Sequence, residues 1–391
     1  MTDQQRFDQT GYASDGHIDM PILDALAKRG TVFDTAYSAS TTCVPARVAL
    51  LTGIQPNRTP TQENHYALAE GFWTVARELR AAGYETAAIG KMHFAPVHAD
   101  HGFNVLRTCE HLLGQGLGPI SKARGDVTDD YNHWLLAQGF EDWRFGERTN
   151  RRVYPLPAET HPTSWVERET LEFLQRRDRS KPLFLIVSFL HPHGPYNPVE
   201  PYASAYDPAT ERLPISTYEA NQDLPKILQW LIERSADKNG PVTERSLRKF
   251  LSLVRGMLRH IDDAMGRVID ELDLDQTGVF FTSDHGDYSG HRGLWRKSPW
   301  LPFDDLARVP LVAAGLDIAP GNRLASLVQS CDLPQTWLDY AGIDPPEELP
   351  FTGRSSARCS SARTLRPTAI GSCSPASRSD GPWSAGVTTS S

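Results

Sequence analysis

Residues 183–196 read LFLIVSFLHPHGPY, and this stretch decides the fold class. Its first eight residues form an apolar run interrupted only by Ser188. A strand that is apolar on both faces is typical of a parallel sheet, because helices cover both sides of such a sheet. Similar short runs at 278–281 (GVFF) and 309–312 (VPLV) predict two more buried strands.

Amphipathic segments lie between these runs. Residues 21–29 are followed by Gly30 and residues 73–82 by Gly83, and a glycine in this position often ends a helix. Within 243–272, apolar residues recur every three or four positions, which predicts a long helix. Alternating helices and buried strands indicate an α/β protein with a doubly wound, mostly parallel sheet, whose functional residues lie at the carboxyl ends of the strands.

The composition excludes several classes of protein. The chain has 391 residues, 39% of them hydrophobic, and a formal net charge of −8. The acidic balance argues against a nucleic-acid partner. No apolar run approaches the roughly 20 residues of a membrane span, and the polar opening residues do not resemble a signal peptide. The 5 cysteines are too sparse for a disulfide framework or a zinc knuckle. We therefore expect a soluble, cytoplasmic protein.

Two regions differ in composition. We expect residues 1–353 to form one α/β catalytic domain. Residues 354–391 are rich in serine and arginine and poor in large apolar side chains, so we expect a disordered tail. Within the catalytic domain, the stretches from about 110 to 160 and from 195 to 240 are weakly periodic. We expect them to be loops that shape the substrate pocket.

Polar residues follow the two best predicted strands. The first strand ends in His191 and His193, and the second is followed by Asp284 and His285. A single histidine is more often a structural residue than a functional one. Two such clusters at two strand ends favour a functional site. Asp284 and His285 together offer an oxygen and an imidazole, a pair that suits a divalent cation without identifying it.

Residues 41–53, TTCVPARVALLTG, place a cysteine at the start of a predicted helix. Pro45 suits the first helical turn and Gly53 can end the helix. Cys43 would then lie at a helix N-terminus, which favours an anion, with Arg47 one turn further on. Basic residues at 91–93 and 291–297 add positive charge suited to a tetrahedral oxyanion.

Four segments, all in the same order, resemble the signatures of the type I sulfatases of the alkaline phosphatase superfamily. They are CVPAR with LLTG at 43–53, GYETAAIGKMHF at 83–94, HPHGPY at 191–196 and TSDHGDYSGHRGLWRK at 282–297. The resemblance runs from Asp3 to about Gly353. It implies an alkaline-phosphatase-like fold and a sulfuric ester hydrolase that acts on a small-molecule sulfate ester.

The resemblance also implies that the cysteine is not used as a cysteine. In this family a maturation enzyme oxidises the signature cysteine, here Cys43, to formylglycine. The aldehyde hydrate would attack sulfur, release the alcohol and leave a sulfated hemiacetal. Loss of sulfate would then regenerate the aldehyde.

The family pattern gives roles to five further side chains. Arg47, Lys91 and His93 would hold the hydrate and orient its hydroxyl groups. His193 and Lys297 would bind the sulfate oxygens, and one of them would protonate the leaving group.

A divalent metal is the other implied component, acting as a Lewis acid and activating the nucleophile. Its implied ligands are Asp3, Gln4, Asp284, His285 and the oxygen of converted Cys43. Calcium is the usual metal of the family, an imidazole ligand leans toward manganese, and magnesium is a third alternative. Gln4 stands where many relatives have a second aspartate, as in the subgroup of choline sulfatases and phosphonate monoester hydrolases. His285 stands where many relatives have asparagine.

Both ends of the chain depart from the family pattern. Only Met1 and Thr2 precede Asp3, where relatives carry an apolar central strand. After residues 332–336 (DLPQT), relatives continue into a smaller antiparallel subdomain, which the serine-rich tail replaces here. We expect a shortened reading frame in which nothing tethers Asp3 to the sheet.

Hydrolysis of a sulfate monoester is the function we favour from the sequence. A phosphonate monoester or phosphodiester hydrolase with the same nucleophile is the first alternative, since these substrates are also tetrahedral and singly charged. A catalytically silent remnant that only binds anions or a partner is the second. The set of signature residues argues against this remnant, whereas the unusual ends of the chain argue for it.

Overall fold

The computed structural model describes residues 1–64, 66–110, 129–140, 153–214, 223–239, 243–346, 349 and 351–356. The predicted tail therefore lies outside the described residues from position 357 onward. The strands are β1 (Gly30–Tyr37), β2 (Glu85–Gly90), β3 (Val105–Thr108), β4 (Leu183–Ser188), β5 (Val279–Thr282), β6 (Leu311–Ala314) and β7 (Asn322–Gln329). The α-helices are α1 (Pro21–Arg29), α2 (Cys43–Thr52), α3 (Val75–Ala81), α4 (Asp130–Ala137), α5 (Pro162–Arg176), α6 (Lys226–Asn239), α7 (Glu244–Asp270), α8 (Asp304–Ala307) and α9 (Leu333–Ala341).

The strands form two sheets, ordered β3-β2-β4 and β5-β6-β1-β7. The first sheet is parallel throughout. In the second, β1 and β7 are parallel, while β6 runs antiparallel to both β1 and β5. The mostly parallel α/β prediction is confirmed, but the parallel direction inferred for 309–312 is wrong. The burial of β6 on both faces reports the helices that cover the sheet and does not fix the direction of the strand.

The first three residues lie between the two sheets. Thr2 and Asp3 form parallel bridges with Ser283 and Pro192, which follow β5 and β4 respectively. The amide of Thr2 donates to the carbonyl of Thr282 at 3.0 Å. The expectation that nothing tethers Asp3 is wrong, because its backbone is paired with both neighbouring segments. The local sequence gives no sign of this pairing, which depends on residues far along the chain.

Side chains alternate between two cores on opposite faces of the second sheet. Val32 of β1 and Val312 of β6 belong to one core, with residues of α1 and α7. Phe33 and Leu311, their neighbours in sequence, belong to the other core, with Leu50 of α2. Successive strand residues point to opposite faces, so both faces are covered by helices, as the apolar runs predicted.

Most helix boundaries follow the sequence signals. The long helix α7 begins after Thr243, whose side chain accepts a hydrogen bond from the amide of Ser246 at 3.2 Å. Helix α3 begins two residues later than predicted, because Thr74 caps it through the amide of Arg77. The stretches predicted to be loops contain α4 and α6. Asp129 caps α4 in the same way, which was an available signal.

None of the helices in the described part of the chain combines the length and the apolar character needed to cross a membrane.

Three buried histidines meet where α5 begins, where β4 ends and along α7. The ring centroids of His161 and His191 are 4.7 Å apart, and those of His161 and His260 are 5.0 Å apart. Burial, together with the charges of neighbouring groups, lowers the pKa of His191 to about 3 and that of His260 to about 4. It holds the pKa of His161 well below its ordinary value. All three rings therefore stay neutral at pH 7.

We predict that the free energy of unfolding decreases as the pH falls from about 7.5 to about 5. The unfolded chain takes up protons at these histidines near pH 6.5, whereas the folded chain does not, so the unfolded state gains relative stability. Each histidine that stays neutral should account for about 2 kcal/mol of the loss at pH 5. His260→Gln should shrink the loss by that amount, measured by urea unfolding at several pH values.

His133→Gln is the matched control, because His133 is exposed on α4. This variant should keep the pH dependence of the wild type. Identical pH dependence in His260→Gln and the wild type would contradict the assignment.

Candidate active site

Chemical groups from separate parts of the sequence meet at one edge of the sheets. Lys91 follows β2 directly, and His193 lies in the loop after β4. Asp3 ends the paired segment between the sheets, and Asp284 is the second residue after β5. Strands β2 and β4 are parallel, and residues 2 and 3 form parallel bridges with the segments that follow β5 and β4. The carboxyl ends of these strands therefore share one edge, as expected for an α/β fold. Cys43 reaches the same edge at the start of α2, after β1.

Gly90 allows Lys91 to turn into this site. Its φ is +106°, a backbone conformation that L side chains rarely adopt. A Cβ at this position would lie 1.9 Å from the carbonyl oxygen of Ser188 on β4. No side chain fits so close to the neighbouring strand. The turn therefore requires glycine, and it leaves Lys91 only 1% exposed.

Arg47 connects the two carboxylates of the site. Its Nη2 lies 3.0 Å from Asp3 Oδ2 and its Nε lies 2.9 Å from Asp284 Oδ2. The guanidinium also donates to Ser188 Oγ at 3.0 Å and to the carbonyl of Lys91. Lys91 Nζ is 2.6 Å from Asp3 Oδ2. Two buried cations thus face two buried carboxylates, which compensates part of the cost of removing these charges from water.

The two carboxylates differ in protonation behaviour. Burial raises the pKa of Asp3, but Lys91, His193 and Arg47 outweigh it and hold the pKa well below its usual range. Burial and the negative charge of Asp3 raise the pKa of Asp284 above its ordinary value. Asp3 is therefore the more firmly ionised member of the pair.

Cys43 lies between two nitrogen atoms. Its Sγ is 3.1 Å from His285 Nε2 and 2.7 Å from Lys297 Nζ. Burial and Asp3 both raise the pKa of the thiol, but Lys297, Lys91 and His285 outweigh them and hold it well below its ordinary value. Position 43 can therefore carry developing negative charge, and the side chain is only 1% exposed.

Four buried side chains could hold a metal ion: Asp3, Cys43, Asp284 and His285. One potential ligand atom from each lies within 4.8 Å of those of the others. Among the described residues, Asp3 Oδ1 is buried without a hydrogen-bond partner. A buried unpaired carboxylate oxygen is costly unless a cation or water satisfies it. His285 Nδ1 lies 2.8 Å from the carbonyl of Gly286, so it donates there and leaves Nε2 as a ligand atom. The donor set fits a divalent cation.

The other predicted site residues lie nearby. Gln4 follows Asp3 and is 3% exposed, and its backbone amide donates to Asp284 Oδ1 at 3.0 Å. The amide of His193 donates to the carbonyl of Asp3 at 3.1 Å. His93 lines a small pocket together with Arg47. The structure brings all the predicted residues to one region, although Arg47 contacts the carboxylates most directly.

Two residues that support the site were missed by the sequence analysis. Glu110 Oε1 accepts hydrogen bonds from the amides of Met92 and His93, at 2.9 and 2.7 Å, and so holds the loop after β2. No local pattern marks Glu110. Asp287 contacts the side chain of Gln4. Asp287 lies in the DHGD segment, but the sequence of this segment does not indicate a contact with Gln4.

The fold indicates the structural class of the protein. A phosphonate monoester hydrolase from Silicibacter pomeroyi superposes on this structure with a TM-score of 0.76 and 23% sequence identity, covering 93% of this chain and 76% of that one. The chain therefore has the alkaline-phosphatase-like α/β fold. The sulfatase family model matches residues 1–343, and the chain belongs to this family.

Two relatives place it among sulfuric ester hydrolases. An arylsulfatase from Clostridium perfringens is 31% identical over 379 residues, which cover 89% of this chain and 75% of the relative. A choline-sulfatase from Rhizobium meliloti is 33% identical over 342 residues, which cover 85% of this chain and 64% of the relative. The prediction of a sulfatase-family enzyme is confirmed.

We predict that Lys297→Ala lowers kcat/KM for an aryl sulfate by roughly 10²–10³-fold. Among the described residues, Lys297 forms an ion pair with no carboxylate, so its charge is available to an oxyanion at position 43. Steady-state kinetics of the converted enzyme would measure the effect. Lys28→Ala, on the exposed side of α1, is the charge-matched control and should keep wild-type kinetics. A Lys297→Ala variant within threefold of the wild type would exclude this role.

Proposed function

We propose that residues 1–353 hydrolyse the sulfate monoester of a small-molecule alcohol, with formylglycine made from Cys43 and one bound divalent cation. The observation that supports this most strongly is the environment of Cys43. It starts α2 between Lys297 Nζ and His285 Nε2, beside the carboxylates of Asp3 and Asp284. Few structural roles require a buried cysteine in such a charged position.

Formylglycine, when present, supplies an aldehyde hydrate with one hydroxyl to attack sulfur and another through which sulfate is later expelled. The surrounding residues then have distinct tasks. Lys297 balances the charge of a sulfate oxygen. Lys91 and Arg47 keep Asp3 ionised and fixed, because they lie 2.6 and 3.0 Å from its Oδ2. His93 lines a pocket together with Arg47, and we assign it to the group that would orient the hydrate.

His193 is the residue we assign to protonation of the leaving alcohol. Its Nδ1 lies 2.8 Å from the carbonyl of Gly194, and a carbonyl only accepts, so Nδ1 carries a proton. This contact fixes the orientation of the ring, and Nε2 is the atom to which we assign the proton transfer.

Asp3, Gln4, Asp284 and His285 are the proposed ligands of the cation, together with the oxygen of converted Cys43. The cation supplies Lewis acidity when bound. Because the set is dominated by oxygen atoms, calcium is the proposed metal, and the imidazole of His285 makes manganese and magnesium the alternatives to test. A formylglycine-generating maturation enzyme is the proposed protein partner.

Hydrolysis of phosphonate monoesters is the second candidate function, because Gln4 suits a phosphonate monoester hydrolase as well as a choline sulfatase. A neutral amide in place of a carboxylate leaves the site with two acidic ligands, Asp3 and Asp284. Sulfate monoesters and phosphonate monoesters both carry one negative charge on a tetrahedral centre. Comparison of kcat/KM for an aryl sulfate, choline sulfate and an aryl phosphonate monoester would decide between them.

We predict that co-expression with a maturation enzyme converts Cys43 to formylglycine and creates sulfatase activity. Replacement of the CH2SH group by CHO lowers the mass of the peptide that contains residue 43, which mass spectrometry detects. Cys43→Ala should be inactive and should show no mass change. Cys109→Ala, which also removes a buried cysteine, should leave conversion intact. An unchanged Cys43 in folded, co-expressed protein would exclude the proposed mechanism.

We predict that Asp284→Asn and His285→Ala each weaken Ca²⁺ binding by more than about 100-fold, since the first removes the negative charge of a proposed ligand and the second removes the ligand atom itself. Both residues follow β5 and lie outside the apolar cores, so the sheets and cores should remain, although Asp284→Asn also weakens the buried ion pair with Arg47 and should lower the stability. Calorimetric titration of chelator-treated protein measures the affinity, and circular dichroism checks the fold. Asp34→Asn, at a surface ion pair with Arg323, is the control. Unchanged affinity in either site variant would remove that residue from the ligand set.

A further inference from the structure

Gln4 is held in an unusual backbone conformation next to the proposed metal ligands. Its φ is +70°, which is uncommon for a residue other than glycine, asparagine or aspartate. The backbone amide of Gln4 donates to Asp284 Oδ1 at 3.0 Å, and its side chain is buried. The left-handed backbone conformation and the burial together fix the direction of the Gln4 side chain.

The amide group of Gln4 has a defined orientation. Its Nε2 donates to Asp287 Oδ2 and, at 3.2 Å, to the hydroxyl oxygen of Tyr196. A carboxylate only accepts hydrogen bonds, so the nitrogen of the amide and not its oxygen must face Asp287. The described residues provide no hydrogen-bond donor to Gln4 Oε1. Gln4 Oε1 therefore points away from Asp287.

Asp287 is itself fixed by its own contacts. Its Oδ1 accepts from the amide and the hydroxyl of Ser289, at 2.6 and 2.7 Å, which leaves Oδ2 for Gln4. Asp287 is 3% exposed, so a donor on Gln4 is worth more there than in water. The chain of contacts runs from Ser289 through Asp287 to Gln4.

We propose that Asp287 is a positioning residue, assisted by Tyr196, that turns Gln4 Oε1 toward the divalent cation and selects an amide over a carboxylate at position 4. This inference rests on the metal site of the proposed function and extends it to two residues that do not touch the cation. A glutamate at position 4 would place one carboxylate against another. An asparagine at position 287 would point its own NH2 group at Gln4 Nε2 and favour the flipped amide.

The test is a double-mutant cycle on metal affinity, with Ca²⁺ and separately Mn²⁺ titrated calorimetrically into chelator-treated full-length protein. Asp287→Asn and Gln4→Glu should each raise the Kd by roughly 10–100-fold. Tyr196→Phe removes one hydrogen bond and should raise it by about 2–10-fold. In the double variant Gln4→Glu with Asp287→Asn, the new amide can donate to the new carboxylate. Its Kd should return to within about threefold of the wild type or fall below it.

Recovery in the double variant separates positioning from general damage, because two harmful structural changes would not cancel. Asp262→Asn is the matched control: this buried carboxylate accepts from the amides of Ile22 and Leu23 at the start of α1. It should lower the melting temperature and leave the metal affinity unchanged. Wild-type affinity in Asp287→Asn, or no recovery in the double variant, would overturn the positioning role alone. Failure of the wild-type chain to bind either ion would overturn the proposed metal site and this role with it.

Discussion

The guanidinium of Arg47 is the interaction on which the site depends. It contacts Asp3 from the segment between the sheets, Asp284 after β5, Ser188 at the end of β4 and the carbonyl of Lys91 after β2. One side chain on α2 thereby fixes the relative positions of four other segments. Removal of one partner from such a buried ion pair typically costs about 3–5 kcal/mol, because the remaining charge stays buried and uncompensated. The charged contacts of Arg47 therefore also determine how the segments at this edge are arranged.

This arrangement divides the positive charges into two groups. Arg47 and Lys91 are engaged with Asp3 and Asp284, and so they mainly stabilise the folded site. Lys297 instead faces Cys43, with its Nζ 2.7 Å from Sγ. The same logic applies to the oxygen atoms: Asp3 Oδ2 is occupied by cations of the protein, whereas Oδ1 is buried without a partner among the described residues. A carboxylate with one occupied and one unoccupied oxygen is well suited to share its charge with a bound ion.

The sequence predicted those features that depend on neighbouring residues. The helix at 21–29 has the predicted bounds, because proline begins it and glycine follows it, and Cys43 begins α2 as the pattern indicated. Two features could not be predicted: the pairing of residues 1–3 with the segments after β4 and β5, and the direction of β6. Both depend on hydrogen bonds between segments that are distant in the sequence. The role of Glu110 could not be predicted for the same reason, because it depends on contacts with the loop after β2. The grouping of the signature residues, by contrast, follows from the rule that parallel strands end at one edge.

The position of the first residues also has a consequence for the order in which the molecule is made. The terminal amine of Met1 bonds to a carbonyl 186 residues away, and Thr2 bonds to a side chain 281 residues away. Residues 1–3 therefore have no complete set of partners on the ribosome until Ser283 has been added. At typical elongation rates, the interval between the synthesis of Cys43 and that of Ser283 is on the order of tens of seconds. Cys43 is 1% exposed in the folded chain and contacts His285 and Lys297, so its burial cannot be complete before these residues have been synthesised.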